Sequence, residues 1–458
     1  MATYEPSLES VTTINKDGSR NFIHPADVRG RFTLLRALSG WVLIAVYVLL
    51  PWIRINGNPA VFFDIEHSQF HLFGLTLVSQ DLWLGFFIIT GLGFALFYIT
   101  ALFGRVWCGW ACPQTVFIEQ IFRRIERLIE GDATARRKLD ASPWTNEKVL
   151  KRGTKLALFF LISFAVAHVF ISYFVSLPKL YEIMLHSPAE NWSLFLFVFA
   201  MTGALLFDFA WFREQFCIVM CPYGRLQSVL IDNDSVIIGY DKKRGEPRGK
   251  LGTKDAGDCV DCHRCVTVCP TGIDIRQGLQ IECIGCSNCV DACDEVMTKL
   301  KRPQGLVRYD SMHAFSGGKT QFIRPRIILY SVLLLVGATV ATISMSGFKP
   351  ATVTLVRMTG APYYLMDNGV RNQYLVRIFN KQTHPQQFTF RVLNAPAGMS
   401  TSGIDQPIEV EPLGEQKIML VAVIPKAAVH GPFKFDVEVR ADKFAITKQV
   451  PFLAPGDQ

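Results

Sequence analysis

Eight cysteines between positions 259 and 293, in two runs of one spacing, constrain this chain more than any other feature. Cys259, Cys262, Cys265 and Cys269 follow C-x2-C-x2-C-x3-C-P. Cys283, Cys286, Cys289 and Cys293 repeat the spacing, with Asp294 where the proline would stand. This is the bacterial iron–sulfur spacing. Two-residue gaps wrap three thiolates around three corners of one cubane, and the fourth cysteine, carried off by the turn, reaches the other cluster. The expected ligand sets are therefore crossed. Cys259, Cys262, Cys265 and Cys293 take one [4Fe–4S] cluster; Cys283, Cys286, Cys289 and Cys269 take the other. Paired zinc knuckles are the competing reading of C-x2-C, but zinc wants a closed set of four, usually from two separated pairs. Proline shapes the exit of the chain and is no ligand, so Asp294 weakens the second run only slightly.

The remaining sequence says where such a module sits. The chain has 458 residues, room for about three domains. Half of them are hydrophobic and the mean hydropathy is +0.25, typical of a mixed membrane protein. Of the 12 cysteines none follows Cys293, unlike a secreted disulfide framework. Thiolates that hold iron need a reducing compartment, so the module is expected to face the cytoplasm. No convincing Walker or Rossmann motif is present, and no nucleic-acid partner is expected.

Five apolar runs, at about 37–55, 82–103, 156–177, 192–212 and 327–348, are long enough or nearly so to cross a ~30 Å bilayer core. Trp41, Trp52, Trp192 and Trp211 lie near their ends, as interface anchors do. The polar lead before the first run is too long for a typical signal peptide and reads as a tail before an uncleaved anchor. The loop 56–81 contains no Lys or Arg and 178–191 only Lys179, whereas 104–155 and 213–326 are rich in both. By the positive-inside rule the N-terminus and the two basic loops are inside. The cysteine module lies in the second basic loop, so charge bias and thiol chemistry agree. Five spans send the C-terminus outside.

From about position 350 the pattern changes to period two. Phe433, Phe435, Val437 and Val439 alternate with Lys434, Asp436, Glu438 and Arg440, and Asp367, Asn368 and Gly369 signal a turn. This predicts a β-sandwich of immunoglobulin-like size, without cysteine, acting as a spacer or docking surface. The expected fold is an α-helical transmembrane bundle of five spans with an inserted cytoplasmic two-[4Fe–4S] ferredoxin-like module and a C-terminal immunoglobulin-like β-sandwich. Its domains are a cytoplasmic tail (1–36), a four-span membrane domain (37–230), the cluster module (231–326), a fifth helix (327–348) and a periplasmic β-sandwich (350–458).

The second and fourth runs end alike, in Cys108-Gly-Trp-Ala-Cys112-Pro113 and Cys217-Ile-Val-Met-Cys221-Pro222. Each C-x3-C-P follows an inward-running span, so two hairpins deliver two cysteine pairs to one membrane face, a twofold pseudo-repeat. If the pairs are helical, both sulfurs share one face. If proline restarts a helix, Cys112 and Cys221 cap its N-terminus, which favours thiolate. Soft thiolates favour Cu(I), though a third iron–sulfur cluster, zinc or plain structural packing also suits four cysteines. His67 and His71 (an outer metal site or ordinary loop), His168 (haem ligand, proton relay or a neutral hydrogen-bonded side chain) and Asp208 (paired with Arg213) are further candidates. Residues 118–130 read as an amphipathic interface helix.

Two inward C-x3-C-P pairs, a two-cluster insert, a fifth span and an outer β domain together resemble the cytochrome c oxidase accessory proteins of the CcoG/FixG type. The resemblance covers essentially the whole chain. It implies a bacterial inner-membrane protein that reduces Cu(II) to Cu(I) for assembly of a cbb3-type haem–copper oxidase. Copper chemistry then falls at Cys108, Cys112, Cys217 and Cys221, electron supply at the eight module cysteines. The implied partners are a cytoplasmic electron donor, oxidase assembly factors or copper chaperones and transporters, and the lipid bilayer. Membrane proteins with C-x3-C-P pairs and ferredoxin inserts also resemble the quinol oxidisers associated with nitrate reductase, and a non-catalytic assembly scaffold or redox sensor is a third reading.

Overall fold

The computed structural model describes residues 13, 20–66, 68–78, 81–346, 349–382, 384–429, 431–441 and 444–455. The chain forms two compact units. One comprises 1–53, 61–63 and 83–341; the other comprises 54–60, 64–82 and 342–458.

Five helices are long and apolar enough to cross a membrane: Arg31–Leu49, Trp83–Phe103, Asn146–Ile171, Pro188–Phe212 and Pro325–Ser346. Their apolar side chains point outward, with Ile89, Phe199 and Leu335 each about two-thirds exposed or more. Surface of that kind calls for lipid. The first span starts six residues before the expected position and ends at Leu49, because Pro51 cannot continue a helix and residues 50–52 turn instead. Arg31 and Arg36 therefore lie inside the helix. The third span begins at Asn146, where Thr145 caps it by accepting from Lys148 N, and stops at Ile171 short of the expected 177. Packing among spans is specific. Phe122 stacks on Phe209 (4.4 Å between centroids) and meets Phe159 edge-on (4.8 Å), while Tyr47 Oη donates to Val166 O at 2.9 Å.

The cysteine module is built on a two-stranded antiparallel ribbon, Val236–Tyr240 with Val307–Ser311, that brackets both cysteine runs. Ile238, Tyr240, Ile275, Val290, Met297, Leu306 and Val307 pack with Cys259 and Cys265 into its core. The helix Arg264–Thr267 within the first run lasts one turn, and Pro270 follows it. The helix in the second run, Asn288–Lys299, continues straight through Asp294. A proline there would remove a helical N–H and clash with the preceding turn, so the departure from the motif has a structural cause. Asp294 Oδ1 instead accepts from Gly305 N at 2.8 Å.

The polar lead is more than a tail. Its described residues 20–30 pack along the same unit. Ala26 N donates to Thr267 O at 2.8 Å, and Arg137 donates to His24 O at 3.1 Å. In the other unit two sheets face each other. One has the order Ser400–Ser402, Glu415–Ile424, Gly369–Asn380, Ala351–Arg357, with Tyr364–Met366 also on Gly369–Asn380. The other runs Ile408–Val410, Gln386–Leu393, Phe433–Ala441, Phe444–Phe452. Phe435, Val437 and Val439 fill the core between them with Tyr374, Phe388 and Leu420. The hairpin Gln69–Leu72 with Leu75–Val78 joins this unit, where Gln69 donates to Leu413 O at 3.3 Å and Lys381 pairs with Asp81.

Candidate metal centre

Both cysteine runs bend by the same device. The residues flanking the second cysteine adopt positive φ in each: Asp261 (52°) and His263 (54°) in the first, Gly285 (67°) and Ser287 (65°) in the second. At a non-glycine residue this costs about 1–3 kcal/mol, and it bends each run around a cavity. One cavity is lined by Cys259, Cys262, Cys265 and Cys293 with Tyr240 and Met297. The other is lined by Cys269, Cys283, Cys286 and Cys289 with Ile238 and Ile275, and Cys265 also touches it. Four thiols in an apolar shell are the donor set of a [4Fe–4S] cubane, so these residues fit the group. Burial pushes Cys283 up to about 11 and Cys265, Cys286 and Cys293 up to about 12. Bare sulfurs here keep their protons until a metal displaces them. Cys262 alone among the eight is exposed.

The paired cysteines take the capping geometry. Cys108 lies in the helical turn Val106–Trp110, and Cys112 caps the helix that starts at Pro113. Cys217 lies in a π-helical turn, Phe216–Met220, and Cys221 caps Pro222–Leu230. Cys112 and Cys221 are extended, as residues before proline are. Their amides donate five residues back, to Trp107 O and Phe216 O, both at 2.9 Å.

The two pairs come near each other. Cys217 feels Cys112, Cys108 and Cys221, and burial pushes up the Cys108, Cys112 and Cys217 thiols. Cys108 Sγ donates to Gln227 Oε1 at 3.3 Å, and Arg105 Nε donates to the same oxygen at 2.7 Å. Among the described residues no three His, Cys, Asp or Glu side chains converge on a single-ion position. The sulfurs are gathered, but not closed on one ion.

This group abuts the second cluster loop. Cys108, Ile284 and Cys286 form one buried cluster. A Cβ on Gly109 would lie 2.7 Å from Ile284 O and 2.9 Å from Cys286 N, so only glycine permits the approach. The same unit buries several paired charges. Glu126, 3% exposed, accepts from Arg213 Nη1 at 2.8 Å and Arg136 Nη1 at 3.1 Å. Burial raises its carboxyl, and Arg213, Lys155 and Arg136 more than reverse this, leaving it at about 2. Glu130 takes Lys155 at 2.8 Å and Arg152 at 3.3 Å, while Arg20 and His24 reach Glu214 and Asp140. Charges this deep persist because they are paired.

Two expectations change here. Arg213 pairs with Glu126, not Asp208, because the π-turn Asp208–Phe212 carries its guanidinium toward the buried acid. Residues 118–130 are a π-turn followed by the helix Arg123–Glu130, which is charged on both sides: Arg123, Glu126 and Glu130 are buried, while Arg124, Arg127 and the apolar Leu128 are exposed. His168 Nδ1 is hydrogen-bonded to Phe164 O at 2.8 Å, the plain reading. His71 is buried against Thr76 at 3.0 Å, and His67 lies outside the described residues. Arg36, Arg105, Arg123, Gln227 and Gly109 carry no motif. The only sequence signal for any of them is the proximity of Arg105 and Gly109 to Cys108.

Comparison with known proteins agrees. Residues 212–312 match a family described as 4Fe-4S dicluster domain, 84–130 one described as 4Fe-4S binding domain, and 341–455 one described as IG-like fold at C-terminal of FixG. With the five apolar helices, these define an iron–sulfur electron-transfer protein of the membrane with an immunoglobulin-like domain. Protein RdxA of Cereibacter sphaeroides is 36% identical over 452 residues, covering 92% of this chain and 94% of its own. Nitrogen fixation protein FixG of Rhizobium meliloti is 34% identical over 470 residues, covering 89% and 87%. The chain belongs to the FixG family. Ferredoxin-type protein NapH of Haemophilus influenzae is 25% identical over 59% of this chain and 89% of its own.

Proposed function

We propose that this protein draws single electrons from a cytoplasmic donor and passes them to copper at Cys108, Cys112, Cys217 and Cys221, reducing Cu(II) to Cu(I). The observation that carries the reading is the junction itself: the paired-cysteine group and the Cys286 loop share one buried contact through Ile284. Cys259, Cys262, Cys265 and Cys293 would hold one [4Fe–4S] cluster, and Cys269, Cys283, Cys286 and Cys289 the other. When bound, such clusters exchange one electron at a time without gaining or losing ligands. The chain supplies the rest. Apolar walls exclude water, Gly109 lets two backbones meet, and Gln227 orients the Cys108 sulfur. Soft sulfur stabilises Cu(I) more than Cu(II), so Cu(II) arriving at these thiolates takes up one electron and remains as Cu(I). The FixG-family membership and the resemblance to oxidase accessory proteins point the product toward a cbb3-type oxidase.

The same reading sets the sides of the membrane. All of the Lys/Arg-free loop except 61–63 folds in one unit with the β-sandwich, with Gln69 on Leu413 and Asp81 on Lys381, which favours one outer, periplasmic side for both. The basic loops and the residues 20–30 fold with the cysteine module, on the cytoplasmic side. Reporter fusions after Asn191 and after Pro350 should both report the outside. An inside signal at the second would remove the outer domain.

The function is tested on purified anaerobic protein. Dithionite-reduced clusters should be reoxidised by stoichiometric Cu(II). Reduction of oxidised clusters by quinol, with no response to Cu(II), would favour a quinol oxidiser. Response to neither would leave a scaffold or sensor.

A further inference from the structure

The two cluster cavities differ in the balance of charge around them. Three buried arginines, each from a different stretch of the membrane domain, converge on the loops around Cys269, Cys283, Cys286 and Cys289. Arg36 donates Nη1 to Asn288 Oδ1 at 3.1 Å, beside Cys289, and Nε to Gly109 O at 2.7 Å. Arg105 donates to Ile281 O, two residues before Cys283. Arg123 donates Nη2 to Pro270 O at 3.1 Å, next to Cys269. Their counter-charge is incomplete. Glu119 serves both Arg36 and Arg123, Glu214 lies 3.8 Å from Arg123 but pairs with Arg20, and Arg105 donates to neutral oxygens. Two carboxylates also adjoin this site: Glu282 before Cys283, and the buried Asp291 near Cys289, which accepts from Thr33 N and Oγ1 at 2.7 Å.

The other cavity differs. Its buried arginine, Arg276, is taken by two carboxylates, Asp274 at 2.8 Å and Asp261 at 2.5 Å. Arg264, half-exposed, faces Glu295 at 4.0 Å, Asp258 beside Cys259 is paired with Arg244 at 2.5 Å, and Asp294 beside Cys293 accepts from Gly305 N at 2.8 Å.

We propose that Arg36, Arg105 and Arg123 raise the reduction potential of the Cys269, Cys283, Cys286 and Cys289 cluster above that of the Cys259, Cys262, Cys265 and Cys293 cluster, and so set the direction of electron flow toward the paired cysteines. This rests on the reading that the eight cysteines hold two clusters. Reduction adds one negative charge to a buried site. Fixed positive charge within hydrogen-bond reach of that site's loops, in an interior that screens poorly, stabilises the added charge. The carboxylates beside the other site do the reverse. Of the two groups, the one held by Cys259, Cys262, Cys265 and Cys293, with the exposed Cys262, would be the electron donor, and the one held by Cys269, Cys283, Cys286 and Cys289 the acceptor. No bond or proton changes hands. The arginines are positioning residues: they act through the loops and touch no reacting atom.

The test is a potentiometric titration followed by EPR on full-length, detergent-purified protein. Arg105→Gln should lower one of the two midpoint potentials and leave the other in place. Arg105→Lys, which keeps the charge, should restore it. Cys262→Ser assigns the signals, since it perturbs the cluster that should not move. Arg36→Gln should shift the same signal and serves if the first variant does not accumulate. Asp274→Asn should raise the other potential. Unchanged potentials in both glutamine variants at wild-type iron content, or equal shifts of both clusters, would overturn the proposal. Wild-type protein with far fewer than about eight irons per chain would instead remove the clusters on which it rests.

Discussion

Replacing Cys217 and Cys221 together by serine, or Cys108 and Cys112 together, is expected to slow Cu(II)-driven reoxidation of the reduced protein by at least ~100-fold with the module's iron intact. Changes to groups that merely support a ligand cost about 10–100-fold in metal affinity, and removing two ligands outright should cost more. Serine nearly conserves volume, so the packing of Cys108 against Ile284 and Cys286 changes little. What is lost is soft, ionisable sulfur. A hydroxyl offers Cu(I) no comparable bond, and the preference for the reduced ion goes with it. Either remaining pair alone lacks the four-sulfur grouping in which Cys217 feels the other three. The same variants separate the competing roles. If the pairs hold a third cluster, as the 4Fe-4S match over 84–130 allows, each double substitution removes about four irons. If the cysteines only pack, stability falls and reoxidation per folded molecule does not. Wild-type reoxidation in both double variants ends the copper proposal.

The architecture was legible where one physical requirement dominates a stretch of chain. Twenty apolar residues cross a bilayer whatever their order, so the five spans could be read, and alternation in Phe433–Ala441 exposed the sandwich. Span ends were less legible. The Thr145 cap and Pro51 act locally against hydropathy, and Arg36 is tolerated in the first helix only because Gly109 O, Asn288 and Glu119 await it. The ribbon Val236–Tyr240 with Val307–Ser311 is not legible in the sequence, since its two short strands lie on either side of all eight cysteines. Nor could the packed residues 20–30 be read. The partners of Arg20 and His24, Glu214 and Asp140, lie more than a hundred positions away and belong to no motif. The C-x3-C-P pairs announced themselves, but sequence left open helix face or helix cap; the residue before each proline decided it. The electrostatic setting was hidden because a buried arginine and a surface arginine look the same in sequence.

Gly109→Ala should uncouple the two halves of the site while leaving each half whole. Gly109 is buried between Cys108 and Cys112, and the added methyl would meet Ile284 O at 2.7 Å and both Gly285 C and Cys286 N at 2.9 Å. All three are backbone atoms, so no flexible side chain can step aside. Movement of the Val106–Trp110 turn away from the loop is opposed by Arg36, whose Nε holds Gly109 O at 2.7 Å. Overpacking of this kind costs about 1–3 kcal/mol, which a membrane domain of this size should survive. A displacement of about 1 Å between groups that must act together can cost up to ~100-fold in rate. We therefore expect Cu(II)-driven reoxidation to slow by about tenfold or more, with copper binding and iron content near wild type. Gly203→Ala is the matched control, since a Cβ there meets nothing within 4 Å and alanine suits a helix better than glycine. Loss of iron in Gly109→Ala would mean that the Ile284–Cys286 loop had yielded instead of the turn, still through the same contact. Wild-type reoxidation with iron retained would mean that electrons reach copper by a route other than the Cys108–Cys286 junction.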